Sequence, residues 1–258
     1  MSIPAPVDPS PWGEYPFAKG DSRSVMIGPL RIDLRRENGE VWIAWSRSKG
    51  DEAPEPPTEW ERWAEAGEGS SLMLRPAFPS RTLIVAPELS FNLVPRSSAR
   101  IYVRVPLCAQ VVLSHPDQTV LTEIPTVVMS NTWWGDFVDG ELCFWLPTTA
   151  RRVLAPEHFQ PHLVVCPLLI ENLSEDLLNV EKSAVRVAHL SIFDDDGRLW
   201  ADATRVRYTS DEEGSEIDMS GKAPTEVHDA KRIAAPRIPI ARGIRARTFA
   251  RLKSLSGR

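Results

Sequence analysis

Twenty-three of the 258 residues are proline, about 9% of the chain and nearly twice average usage. Proline lacks a backbone donor and collides with the preceding helical turn, so it is excluded from helix interiors. It survives at strand ends, sheet edges and turns. The intervening segments are rich in Val, Ile and Trp, residues that fit a pleated, half-buried surface. The expected fold is therefore all-β.

With 42% hydrophobic and 25% charged residues, the chain is neither a coiled coil, nor collagen-like, nor wholly disordered. Its length suits one large domain or two small ones. The longest apolar runs are short, such as residues 163–170, and none approaches the ~20 residues that span a bilayer. The opening Met1-Ser2-Ile3-Pro4 lacks the basic-then-apolar order of a secretory signal. The expected location is cytoplasmic, with peripheral contact at the inner membrane left open. Cys108, Cys143 and Cys166 include no CxxC pair, which suits buried, reduced thiols rather than a disulfide framework or a zinc site.

Strand-like segments recur at about ten-residue spacing: residues 25–33, 40–46, 71–75, 82–86, 99–105, 110–114, 119–130, 140–146, 163–172, 182–193, 199–209 and 215–219. Asn38-Gly39 and Asp196-Gly197 are hairpin turns, since these residues tolerate positive φ. Within 99–105, Ile101, Val103 and Val105 alternate with Tyr102 and Arg104, the pattern of a half-buried strand. Many short strands with frequent turns predict an antiparallel β-sandwich, or two packed sandwich-like units. Residues 1–20 read as an irregular proline-rich arm, and 21–225 as the sandwich-type domain, with 147–161 as the seam if there are two units. Thr58 with Glu61 makes a capping box that predicts one or two helical turns over 58–66.

Residues 229–258 form a basic tail with nine Lys and Arg against Asp229 alone, a balance of +8. The rest of the chain carries −13, giving the net −5. Such a tail suits an anionic partner, or folds back on its own acidic body. Ile240, Ile244, Leu252 and Leu255 fall near helical spacing, so 241–255 could be a basic amphipathic helix presenting Arg242, Arg245, Arg247, Arg251 and Lys253. Nucleic acid is a poor third candidate, because the acidic body repels a polyanion.

Familiar catalytic signatures are missing: no GxSxG, P-loop, dinucleotide fingerprint or HExxH is present. Pro161 separates His158 from His162, and His115 and His189 read as structural. Asp194-Asp195-Asp196-Gly197 lacks the later ligands of a calcium loop and reads as a hairpin tip. No metal or cofactor is expected. The densest constellation is residues 132–141, with Trp133, Trp134, Asp136, Asp139 and Glu141 as candidate binding residues. Adjacent strand residues face opposite ways, so one tryptophan has to leave the core. Three readings remain open: a Trp-anchored turn, a surface for a protein partner, or a small-ligand site. A glycosidase version requires a second carboxylate ~5–9.5 Å away, for which Glu123 is a candidate.

Thr132-Trp133-Trp134-Gly135-Asp136, followed by Gly140-Glu141-Leu142-Cys143-Phe144, resembles a pattern of an uncharacterised prokaryotic family, domain of unknown function 432. Residues 166–172, the 190–193 strand with its Asp-Gly turn, Leu199-Trp200 and Thr148-Thr149-Ala150-Arg151 extend the resemblance over roughly 72–225. Trp134 stands where the pattern more often has Phe. The resemblance transfers no catalytic residue. It implies an association with mechanosensitive-channel proteins, and hence a membrane-channel protein as a partner. Taken together, the sequence reads as a non-enzymatic binding or accessory module that docks on a protein or membrane-associated partner. The alternative is an enzyme acting on carbohydrate or another small polar ligand through residues 133–141.

Overall fold

The structure, a computed structural model, describes residues 10–48, 50, 52–64, 71–114, 118–210, 214–239, 243–246 and 248–249. In chain order the first strands are Gly13–Pro16 (β1), Ser22–Ile27 (β2), Leu30–Glu37 (β3), Glu40–Arg47 (β4), Glu61–Ala64 (β5), Ser71–Ala77 (β6), Leu83–Pro87 (β7) and Phe91–Leu93 (β8). Next come Ser97–Pro106 (β9), Cys108–Leu113 (β10), Val120–Pro125 (β11), Ser130–Trp134 (β12), Glu141–Ala150 (β13), Leu163–Asn172 (β14) and Leu178–Val180 (β15). The last are Ser183–Val185 (β16), Ile192–Asp195 (β17), Arg198–Ala201 (β18), Thr204–Ser210 (β19), Gly214–Met219 (β20), Lys231–Ala234 (β21) and Ile244–Ala246 (β22). Two single-turn 3₁₀ helices, Pro156–His158 and Val187–His189, are the helical elements among the described residues.

Asn38 and Gly39 take φ of 52° and 78°, and Asp196 and Gly197 take 50° and 81°. Two consecutive positive φ values make the tight hairpin turn whose twist matches its strands, and they join β3 to β4 and β17 to β18. The strands build two cores. The sheet β1-β6-β10-β11 shares one with the sheet β2-β3-β4-β5, around Ile27, Ile32, Ile43, Leu72, Leu74 and Val111. The second core lies under the large sheet β21-β17-β18-β14-β19-β20-β22, with β9 on the other edge of β14. It is completed by β12-β13-β7-β16 and the pair β15-β8, around Leu83, Ile101, Val103, Leu168, Ile170 and Val206.

The far face of the large sheet is covered too, by a cluster of Phe159, Val165, Phe193, Trp200 and Val227. Covered on both faces, β14 is buried along most of its length, as the near-continuous apolar run predicts. Pro167 sits in this central strand, where a missing donor ought to break the ladder. The pairing explains how it is accommodated. Opposite it, Tyr102 spends its N–H and C=O on Arg151, away from β14. That makes Tyr102–Pro167 a non-hydrogen-bonded pair, so the nitrogen of Pro167 faces the other neighbour. There β14 pairs with β18 at Val165 and with β19 from Leu168 onward, leaving a gap at Pro167 where no donor is required.

Several expectations are corrected. Residues 61–64 form β5 on the edge of β4 rather than a helical turn. The local capping signal yields to a cross-strand stack, with Arg35 over Trp42 and Trp60, and Arg62 over Trp42. Residues 13–16, expected to be irregular, pair with β6. Residues 244–246, expected within a helix, pair with β20 instead. The chain passes between the cores at 78–82, at Leu107 alone between β9 and β10, and at 126–129. It does not cross at 147–161, whose flanking strands β13 and β14 both serve the second core. Among the described residues no helix is long and apolar enough to cross a membrane.

Candidate functional site

The residues singled out by the sequence meet on the β12–β13 hairpin. Trp133 pairs with Leu142 and Trp134 with Glu141, so the two indoles point to opposite faces. Trp134 is buried against Ile84, Cys143 and Ala184, whereas Trp133 is 52% exposed. Instead of filling a core, Trp133 builds the tip. Its Nε1 donates to the Asp136 carbonyl at 3.0 Å, and its ring lies over Gly140. A Cβ at Gly140 would stand 2.3 Å from that Nε1 and 2.5 Å from the Asp136 carbonyl oxygen. Gly135, at φ +106°, makes the other turn that only glycine adopts without strain.

The pinned tip carries apolar side chains into solvent. Phe137 is 95% exposed and Val138 84%, flanked by half-exposed Leu142 and by the exposed carboxylates Asp136 and Asp139. Glu141 behaves differently. It accepts from Arg186 Nη2 at 2.8 Å, Arg186 Nη1 at 3.3 Å and Thr82 Oγ1 at 3.0 Å. Beside it, burial first and the Glu141 charge second push the Cys143 thiol up to about 11, which removes it as a nucleophile near neutral pH.

Glu123 stands on β11, in a sheet of the first core, where it accepts from Gln110 and Arg237. Acid–base work on a glycosidic bond requires two carboxylates facing one cleft. Glu141 and Glu123 lie in different sheets and each is held by its own arginine, so the geometry lends that chemistry no support. His158 and His162 are packed into the fold. His162 is driven down to about 4, chiefly by burial and then by Arg104, and its ring fills the space that a side chain at Gly28 would take. His158 is also lowered, by burial first and then by Arg104 and Arg151. Among the described residues no three His, Cys, Asp or Glu side chains gather as a metal site.

Of the five basic tail residues named as interaction candidates, Arg245 is described: it lies on β22, opposite Glu216 of β20. Nearby, the Gly243 amide donates to Asp218, and Phe249 is buried edge-on to Tyr208 with ring centres 5.9 Å apart. The described residues 243–246 thus lie beside Glu216 and Asp218, and Phe249 packs on the body at Tyr208. Arg242, Arg247, Arg251 and Lys253 lie outside the described residues.

Sequence reasoning missed Phe137 and Val138. Their signal is two apolar residues set between Asp136 and Asp139, a pattern that a buried turn shares. Arg186, forty-five positions from Glu141, left no local signal.

A family model described as a protein of unknown function (DUF432) matches residues 11–253. No curated protein and no solved structure matches the chain.

Proposed function

We propose, for a chain that belongs to the DUF432 family of proteins of unknown function, a role in binding: it docks on a protein partner through the tip of the β12–β13 hairpin. The observation that supports this reading is the exposure of Phe137 and Val138 on a turn held rigid by the Trp133–Asp136 hydrogen bond and the packing over Gly140. Phe137 and Val138 set two adjacent apolar side chains in solvent on one tip. Covering an apolar side chain of this size is worth ~1.5–3 kcal/mol, and a pre-formed turn loses little freedom on binding. Asp136 and Asp139 on either side suit an apolar pocket with a basic rim, which would also reject pockets rimmed by acids.

The basic residues that follow Phe249, including Arg251 and Lys253, supply a second contact in this reading, to an anionic membrane surface. Each is worth ~1 kcal/mol there, which holds a docked protein near a membrane-associated partner. Enzymatic action on a carbohydrate is the weaker reading, since Glu141 and Glu123 are both committed to arginines.

A photo-crosslinking residue placed at position 137 in cells tests the docking, with Leu89, also strongly exposed at 81%, as the control site. Discrete adducts at 137 that are missing at 89 support the reading. Identical patterns at the two sites overturn it. Flotation with anionic vesicles, full chain against residues 1–249, tests the membrane contact separately, and equal flotation would remove it.

A further inference from the structure

Outside the hairpin, a ladder of polar side chains crosses three strands of the first core on its outer face. Arg75, Gln110 and Glu123 stand directly opposite one another on β6, β10 and β11. Arg75 Nε donates to Gln110 Oε1 at 2.9 Å, and Gln110 Nε2 donates to Glu123 Oε2 at 2.7 Å. Arg237, arriving from the segment after β21, donates through Nη2 to Glu123 Oε1 at 2.6 Å and through Nε to the Phe78 carbonyl at 2.5 Å. The ladder forms one wall of a 450 Å³ cleft between the outer face of the first core and the chain that follows β21. Phe78, Leu190 and Ile233 provide its apolar side.

The hydrogen-bond inventory of this cleft is lopsided. Both oxygens of Glu123 and both amide atoms of Gln110 are used within the ladder. Arg75 uses only Nε, and among the described residues no carboxylate pairs with it, so both of its terminal nitrogens keep their N–H groups. Arg237 likewise keeps Nη1. Unspent capacity on the ladder's two guanidinium groups therefore consists of donors, and among the described residues only Arg237 of the two is paired with a carboxylate. A ligand that suits this wall is an acceptor-only anion, and a guanidinium face matches a planar carboxylate in bidentate fashion. Opposite the donors the wall is apolar, the combination typical of small-molecule sites at the meeting of two structural units.

We propose that this cleft binds a small organic carboxylate with a compact apolar body. The carboxylate lies against Arg75 and Arg237, and the body against Phe78, Leu190 and Ile233. Such a ligand would bridge the first core and the chain after β21, adding to the tie that Arg237 makes to Glu123 and to the Phe78 carbonyl. The site is independent of the hairpin, and neither reading rests on the other.

The test uses the full chain and calorimetric titration with C2–C10 aliphatic carboxylates and benzoate, each beside its neutral primary amide, and with inorganic phosphate. Carbon-13 methyl NMR of Met73, which lines the cleft, reports the location. The expected result is at least one carboxylate that binds below 1 mM, shifts the Met73 methyl and exceeds its amide by tenfold or more. Arg75→Gln should weaken that carboxylate at least tenfold, with the unfolding midpoint checked to show that the fold survives. Arg237→Gln provides a second variant should Arg75→Gln fail to fold. The proposal is overturned if no carboxylate in the panel binds, if the amides bind as well, if phosphate binds as tightly as the best carboxylate, or if the folded variants bind unchanged.

Discussion

Asp202 lies in the two-residue gap between β18 and β19, fully buried beside Ser191. One oxygen accepts from the Ser191 amide at 3.3 Å, and the other has no partner among the described residues. Burial raises its carboxyl from 3.8 to about 6, against the opposing effect of the Ser191 amide and the Arg232 charge. A group whose folded value lies above its unfolded one holds its proton more tightly in the native state. Stability from Asp202 is therefore complete well below pH 3.8 and is lost as pH rises through about 6. The displacement corresponds to about 3 kcal/mol between acid and neutral pH. Asp202→Asn removes the titration while keeping an acceptor for the Ser191 amide. Its new amide group carries a cost that is the same at every pH, so the change in relative stability isolates the proton. Urea unfolding of both chains at pH 4 and pH 7.5, followed by tryptophan fluorescence, should show the Asn variant gaining about 2.4 kcal/mol on the wild type across that interval. A gain under ~1 kcal/mol, or one of opposite sign, would refute the assignment of a buried, protonated carboxyl.

Gly140→Ala should disrupt the hairpin tip, because the new methyl meets the Trp133 ring and the Asp136 carbonyl at 2.3 and 2.5 Å. A cost of ~1–3 kcal/mol is expected in urea unfolding. Cys108 and Cys143, pushed up to about 12 and 11 by burial first, and Cys166, raised by full burial, should react with a thiol reagent at pH 8 only after denaturant is added. Trp200→Ala removes a side chain with no exposed surface that packs 5.1 Å from the Phe159 ring. It should cost ~3–5 kcal/mol, read from the urea midpoint. Glu141→Gln should lower stability by ~1–3 kcal/mol through the partly buried Arg186 it leaves without its counter-charge.

Most of the β framework was legible because its signals are local. Asn38-Gly39 and Asp196-Gly197 encode their turns in two residues, and the 163–172 segment is β14 to the residue. Segment 61–64 was misread because capping chemistry is local, whereas the arginine–tryptophan stack that holds β5 comes from residues twenty or more positions away. The tail was misread for a related reason. Spacing at 240–255 suits a helix in isolation, but the free edge of β20, lined by Glu216 and Asp218, draws residues 244–246 into a strand. On the hairpin, alternation correctly separated the two tryptophans. The same alternation could not reveal that Glu141 is neutralised by Arg186, nor that Glu123 belongs to another ladder, because both facts depend on strand order.

Crossing between cores at a single residue, Leu107, has a consequence for how the protein is made. The first core requires β10 and β11, while β7 to β9, synthesised before them, belong to the second. As the chain emerges, β9 has to wait for β14, its ten-residue partner, while the ribosome adds the residues between. At ~5–20 residues per second, that leaves an apolar strand without its mate for on the order of 3–10 s. No single cut would yield two self-sufficient halves. A truncated product would retain a strand whose partner is missing, the kind of edge that recruits other chains.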